Sequence, residues 1–88
     1  MDFRWNQGNI EHLAKHGVAL EEAEEVVMAA AGPYPRHIGD DKLLGWGPGR
    51  GGRLLQIIFV VDHDGTALVI HGRELTNREK RLHRRKGR

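Results

Sequence analysis

The fold is decided by one stretch of the sequence, RLLQIIFVVDHDGTALVIHG, residues 53–72. Two runs rich in β-branched and aliphatic residues flank the tetrapeptide DHDG, residues 62–65, and such residues favour β-strands. Asp and Gly in the tetrapeptide favour a tight turn. The stretch therefore predicts an antiparallel β-hairpin.

Alternation along the two strands assigns their side chains to the two faces of the sheet, if the loop holds four residues. Gln56 then lies opposite His71, with Arg73 just beyond, so that one face turns polar at one end. The other face should form the core under amphipathic helices, and it holds Leu55, Ile57, Phe59, Val61, Thr66, Leu68, Ile70 and Gly72. The partly polar face also holds Leu54, Ile58, Val60, Ala67 and Val69.

Two helices are predicted before the hairpin. Asn6 offers a side-chain cap to the first, and Gly17 ends it. The second should stop by Gly32-Pro33, because proline opposes helix continuation. The apolar side of the first helix carries Ile10, Leu13 and Ala14, and that of the second carries Leu20, Ala23, Val26, Val27 and Ala30. The opposite side of the second helix carries Glu21, Glu22, Glu24 and Glu25.

The remaining segments predict short strands, a loop and a third helix. DFRW, residues 2–5, alternates like a short strand, and PRHI and KLLGW within residues 34–47 predict one or two more. The Gly-rich segment at 45–53 predicts a loop. Thr76 and Glu79 form a capping-box pattern that begins a basic helix. The predicted fold class is α+β, a small antiparallel sheet with two N-terminal helices on one face and a C-terminal basic helix.

Length and composition place limits on the type of protein. The chain has 88 residues, which predicts one small domain spanning residues 1–88. It has no cysteine, which fits a reducing compartment, so the cytoplasm is the expected location. The longest apolar run, residues 57–61, is too short to span a bilayer, and no membrane association is expected.

The charge of the chain is unevenly distributed. Residues 1–31 hold six acidic side chains against Arg4 and Lys15, whereas residues 73–88 hold eight Lys or Arg against two Glu. Such a basic cluster suits contact with phosphates, although a solvated tail gives the same composition. The candidate nucleic-acid-binding residues are Lys15, Arg53, Arg78, Arg81, Arg84 and Arg85.

Several kinds of site lack the residues that they require. His12 and His16 lie one helical turn apart, but no His-Glu-x-x-His pattern or clear third ligand accompanies them, so no metal is predicted. No nucleophile elbow, P-loop or dinucleotide fingerprint occurs, and no cofactor is predicted.

Histidine and arginine suffice for metal-free RNA cleavage. A base takes the 2′-hydroxyl proton, a cation stabilises the phosphorane, and an acid protonates the leaving 5′-oxygen. The candidate acids and bases are His16, His71 and His83, and the candidate phosphate clamps are Arg53, Arg73 and Arg81. The simpler alternative is that His71 only occupies a strand end and Arg73 only braces a carbonyl or a glutamate.

Four segments in order, FRW, LAKHGVALEEAEEVV, GRLLQIIFVV and IHGRELTNREKRLH, resemble the BrnT family of toxins from bacterial type II toxin–antitoxin pairs. The resemblance implies a RelE-like fold, ribonuclease activity on RNA, and a ribbon-helix-helix antitoxin as partner, with DNA contacted only through the complex with that antitoxin. Family positions correspond to Lys15, His16, Arg53, Arg73 and Glu79.

The sequence departs from the family pattern at three positions. His12 stands where an Asn is usual, Ala19 replaces the Ser or Thr that caps the second helix, and His83 replaces a Tyr. The lost cap should cost about 1 kcal/mol. Imidazole at position 83 either substitutes for the tyrosine in proton transfer or marks lost activity.

The leading hypothesis is a metal-independent endoribonuclease toxin. His16 or His71 is the base, Arg53 and Arg73 bind the phosphate, and His83 is a possible acid. Two alternatives remain, a non-catalytic module that binds nucleic acid through the same arginines and a domain that binds only a protein partner.

Overall fold

The computed structural model describes residues 1–30 and 34–86 of the chain, and it has the predicted α+β class. The helices are α1 (Gln7–Lys15), α2 (Leu20–Ala29) and α3 (Asn77–Lys86), and the strands are β1 (Arg36–His37), β2 (Lys42–Pro48), β3 (Leu54–Val61) and β4 (Ala67–Glu74). The four strands form one antiparallel sheet in the order β1-β2-β3-β4.

The hairpin predicted from residues 53–72 is present as β3 and β4, but its loop is longer by one residue than expected. Val61 pairs with Ala67, so five residues separate the paired ends. The pairing then shifts between Phe59, opposite Val69, and Ile58, opposite His71. The extra residue at that β-bulge is Ile70, and a bulge of this kind bends a strand and redirects neighbouring side chains.

The longer loop and the bulge correct the predicted faces. Ala67 and Val69 lie in the core beside Phe59, whereas the prediction placed them on the other face. Beyond the bulge the two shifts cancel in parity, so Gly72 faces the core as predicted. Gln56 pairs with Arg73 rather than with His71, two positions from the predicted register.

The main core lies between the sheet and the first two helices. Leu13 of α1 and Val26 of α2 are among its buried residues, with Leu55, Ile57 and Phe59 from β3. Each amphipathic helix buries its apolar face in this way, and the sheet face that it covers is also removed from water. Ala14, predicted on the buried side of α1, is exposed.

A second, smaller cluster covers part of the opposite face of the sheet. Its buried members are Tyr34, Leu44, Trp46 and Leu75, and the Trp46 indole N–H donates to Gln56 Oε1 at 3.0 Å. The second face is therefore sealed around Gln56, and the polar patch predicted there does not form. The Gly-rich segment at 45–53 is also only partly a loop, because its first four residues continue β2.

The helix ends follow the predicted chemistry closely. Asn6 accepts from the Asn9 N–H at 2.9 Å and caps α1. Gly17 follows the end of α1 with φ 71°, the left-handed conformation that glycine adopts without steric cost. The predicted stop at Gly32-Pro33 lies outside the described residues. The N-terminal segment makes a single parallel bridge, Phe3 to Ala67, rather than a strand.

Glu22 of α2 is the one glutamate of its run that is buried, although the helical pattern placed it on the exposed side. Its Oε1 accepts from the Ala19 N–H at 3.2 Å, and its Oε2 accepts from the Arg50 N–H at 2.7 Å. The Arg53 guanidinium donates to both oxygens at 2.6 and 2.7 Å. Glu22 therefore supplies one half of a capping box by bonding the N-cap N–H, whereas the half that a Ser or Thr side chain would supply is missing at Ala19.

Burial alone would raise the pKa of Glu22, but the hydrogen bonds from Arg53, Arg50 and Ala19 outweigh it and lower the pKa. The carboxylate is therefore charged in the folded protein, and its charge is balanced by Arg53. No helix of the described residues is both long and apolar enough to cross a membrane.

Replacing Glu22 with Gln should destabilise the protein by about 2 kcal/mol, since Arg53 loses its counter-charge and a buried acceptor pattern is broken. Urea unfolding at neutral pH measures this loss. Glu21→Gln is the matched control, because Glu21 is exposed on the same helix and should change stability by less than about 0.5 kcal/mol. Equal stability of the two variants would show that the network contributes nothing.

Candidate active site

Three histidines from two elements lie together at the β4 edge of the sheet. The ring centroids of His12 on α1 and His16, the C-cap residue of that helix one turn later, are 5.6 Å from each other. His71 of β4 completes the triangle, 5.8 Å from His12 and 5.6 Å from His16. These three side chains form the imidazole cluster.

The packing of α1 on β4 creates this cluster. The Asn9 amide donates to the Val69 carbonyl at 2.9 Å and fixes the helix along the edge strand. Gly72 permits the close approach, because a Cβ there would lie 2.7 Å from Leu13 Cδ2. The bulge at Ile70 precedes His71 directly, so the backbone is bent where the imidazole leaves the strand.

The pKa of His71 lies below its usual value. Desolvation by burial is the first cause, and the positive charges of His16, His12 and Arg73 add to it. His71 is therefore biased towards the neutral form, which is the form that accepts a proton. Among residues 1–30 and 34–86, no group of three or more His, Cys, Asp or Glu is arranged to hold a metal ion.

Arg53 lies next to this cluster but is fully engaged in internal contacts. Besides Glu22, it donates from Nη1 to the Gly17 carbonyl at 2.9 Å. Gly17 follows His16 directly, so the Arg53–Glu22 pair holds the turn that carries one imidazole. The geometry thus gives Arg53 a bracing role, whether or not it also touches phosphate.

Arg73 is likewise paired with a carboxylate. Its Nη1 and Nη2 donate to the two oxygens of Glu79 at 2.7 and 2.9 Å, and Nη1 also donates to the Glu74 carbonyl at 3.1 Å. Glu79 accepts from the Thr76 N–H, and the Thr76 hydroxyl accepts from the Glu79 N–H, which completes the predicted capping box. Arg73 keeps 31% of its side chain exposed.

His83 lies apart from the imidazole cluster. Its ring centroid is 6.3 Å from that of Tyr34 and 6.2 Å from that of Trp46, in the second apolar cluster. Within the part of the chain that the structure describes, its Nδ1 and the Tyr34 hydroxyl are buried without a hydrogen-bond partner. The predicted site required His83 to lie with His16 and His71. The structure does not bring these three side chains together.

The remaining basic candidates lie at the surface. Lys15 is exposed at the end of α1, beside His16. The four arginines predicted to contact nucleic acid from the last helix are all exposed on α3, and they are Arg78, Arg81, Arg84 and Arg85. These side chains are available to a polyanion, whereas Arg53 and Arg73 are mainly internal.

Two residues of this site were undervalued from the sequence. The sequence treats His12 as half of a weak metal site and as a departure from the family's Asn, but its i, i+4 spacing to His16 is the signal that places both rings on one face of the helix. Glu22 was assigned to solvent with its neighbours, although its position three residues after Ala19 matches the acidic position of a capping box.

The fold of the chain is similar to that of the ribonuclease toxin BrnT of Brucella abortus, solved at 1.1 Å. The TM-score is 0.70 and the identity 22%, with 88% of this chain and 99% of that chain covered. The fold implied by the sequence resemblance is thereby confirmed. No protein-family model matches the sequence, and no curated protein matches it.

The Arg73–Glu79 pair makes stability depend on pH in the acid range. The hydrogen bonds from Arg73 are the first cause that lowers the pKa of Glu79, and they bring it from 4.5 to about 2 in spite of burial. Because the folded value lies below the unfolded value, this stabilisation is fully present above pH 4.5 and is lost as the pH falls towards 2.

Glu79→Gln should therefore lose stability at pH 6, on the order of 1–2 kcal/mol after screening by water, and lose almost none relative to wild type near pH 2. Urea unfolding of both proteins at several pH values measures the converging difference. A difference that stays constant with pH would contradict the assignment. Glu21→Gln is the control for removing an exposed carboxylate.

Proposed function

We propose that the chain is a ribonuclease toxin of the toxin–antitoxin type that cleaves RNA at the imidazole cluster. The observation that carries the proposal is the convergence of His16 and His71, from separate elements, on a fold similar to that of a ribonuclease toxin. Paired imidazoles at this separation are suited to general acid–base catalysis near neutral pH.

The sequence left the choice of base open between His16 and His71, and the lowered pKa of His71 favours the latter. His71 takes the proton of the ribose 2′-hydroxyl while the 2′-oxygen attacks phosphorus. The bond from phosphorus to the 5′-oxygen breaks, and His16 in its protonated form gives its proton to that oxygen. The products are a 2′,3′-cyclic phosphate and a free 5′-hydroxyl.

Arg73 supplies positive charge in this mechanism. It lies near enough to lower the pKa of His71, and charge at that position also stabilises the negative phosphorane held at the imidazole. The acid role predicted for His83 passes to His16 in this proposal, because His83 packs against Tyr34 and Trp46. The reaction uses no metal ion.

The exposed arginines of α3 give the proposal its binding surface. They carry positive charge on the helix that follows Arg73, and exposed charges of this kind bind the phosphates of an RNA chain. The expected partner is a ribbon-helix-helix antitoxin that neutralises the toxin by covering this basic surface, with DNA reached only through that complex. The expected location is the cytoplasm.

A second candidate function is a nucleic-acid-binding module without catalysis. It is favoured by the internal pairing of both arginines that the sequence assigned to phosphate, since Arg53 binds Glu22 and Arg73 binds Glu79. In this case α3 alone would grip the polyanion. RNA and DNA would then bind with similar affinity, because the chemistry of cleavage alone requires the 2′-hydroxyl.

Purified protein should cleave RNA equally well with and without EDTA, and His71→Gln should reduce the rate by about 100-fold or more, as expected for a lost general base. Gel analysis of the products measures the rate of cleavage with and without EDTA and in the variant. A test for cyclic phosphate ends identifies the product. His63→Gln is the matched control, because His63 is exposed in the hairpin loop. If RNA stays intact at high protein concentration, the ribonuclease proposal is rejected and the non-catalytic binding module is favoured.

The binding surface is tested separately by changing Arg81, Arg84 and Arg85 together to Gln. Loss of three phosphate contacts should weaken RNA affinity and reduce the slope of log affinity against log salt by about 2 for a single strand. Fluorescence anisotropy with labelled RNA and DNA at several salt concentrations measures the slope. An unchanged slope would show that these three arginines of α3 do not contact the phosphates.

A further inference from the structure

His12 plays no part in the proposed mechanism, yet its ring lies almost as close to His71 as the ring of His16 does. The three centroid distances are 5.6, 5.6 and 5.8 Å, which makes a nearly regular triangle. His12 and His16 are exposed, and His71 is half-buried beneath them. The positive charge of a proton bound by one ring therefore acts on the other two rings.

The groups whose charge shifts the pKa of His71 are all cationic. His12 and His16 face it from α1, and Arg73 lies two residues further along its own strand. On β3, the residue paired with it is the apolar Ile58. Among the described residues, no carboxylate belongs to the groups that shift the pKa of His71, so a second proton on the imidazole cluster meets like charge.

We propose that His12 is a positioning residue, which in its protonated form holds His71 neutral and so keeps the base ready for the 2′-hydroxyl proton. The proposal rests on the proposed function for its catalytic meaning. Its physical content is a charge interaction between two imidazoles, which exists whether or not the chain cleaves RNA.

The mechanism needs an acid and a base in the same place at the same pH, and isolated imidazoles are poor at this because they titrate together. Mutual repulsion separates them, since the first proton on the cluster opposes the second. A third imidazole adds a second cation that acts on His71. The half-buried ring then stays neutral while an exposed ring on α1 carries the proton that the leaving group takes.

An Asn at position 12 is a suitable comparison for His12. Asn is the usual residue at this position in the family that the sequence resembles, and an amide is polar but binds no proton. His12→Asn therefore removes the charge and keeps an exposed polar side chain on the same turn of α1. Little change in stability is expected from this exposed site.

The experiment is an NMR titration of the imidazole Cε1–H signals in wild type, His12→Asn and the control His63→Asn. His71→Gln identifies the His71 signal by its loss. EDTA is present throughout, so that trace metal does not link the rings. The pKa of His71 should be higher in His12→Asn than in wild type and unchanged in His63→Asn.

The rate of RNA cleavage gives the second measurement. Because His71 must be neutral to act, the acidic limb of the pH–rate profile should move to higher pH in His12→Asn. The rate near pH 5.5 should fall on the order of twofold to fivefold, with no change near pH 8, as expected for like charges at this separation.

An unchanged or lowered pKa of His71 in His12→Asn overturns the proposal. A rate reduced equally at every pH, with the titration unmoved, would assign His12 a packing role and overturn it as well. If wild type cleaves no RNA, the proposed function fails, while the titration still decides whether His12 acts on His71. The two failures are therefore distinguishable.

Discussion

The ionic network around Glu22 is the interaction on which the rest of the structure depends. One buried carboxylate accepts from the start of α2 at Ala19, from the backbone of Arg50 before β3, and from the Arg53 side chain. Arg53 in turn holds the Gly17 carbonyl. These contacts join the turn between α1 and α2 to the start of the central strand, and so fix the end of α1 at which His16 lies.

The β-bulge at Ile70 is the second constraint, and it resolves a conflict between the two halves of β4. Ala67 and Val69 must face the core beside Phe59, and Gly72 must also face it so that Leu13 can pack above the strand. Strict alternation cannot satisfy both requirements, because residues 69 and 72 have opposite parity. One extra residue restores the pattern and bends the strand next to His71.

The sequence predicted the elements well because their signals are local. The Asn6 cap, the left-handed Gly17, the Thr76–Glu79 box and the hairpin each depend on residues within a few positions of each other. The loop length and the bulge depend instead on how the finished sheet meets α1, which no local pattern contains. The face assignments of Ala67 and Val69 failed for that reason.

The candidate site could be predicted in part for the same reason. His16 and His71 lie close together, as the sequence predicted, because the end of α1 packs beside β4. His83 was grouped with them because it stands where the resembled family has a Tyr, but its position is determined by its packing against Tyr34 and Trp46. Burial of Glu22 beneath Arg53 was also invisible, because a charged residue within a glutamate run ordinarily faces water.

The pairing of cations and anions also decides which groups can respond to a substrate. Arg53 and Arg73 are compensated by Glu22 and Glu79, and the positive charges that act on His71 come from the imidazoles and Arg73 with no carboxylate among them. In the proposed mechanism, the phosphate of a bound RNA would supply a negative charge at the imidazole cluster that none of the described groups shifting His71 supplies.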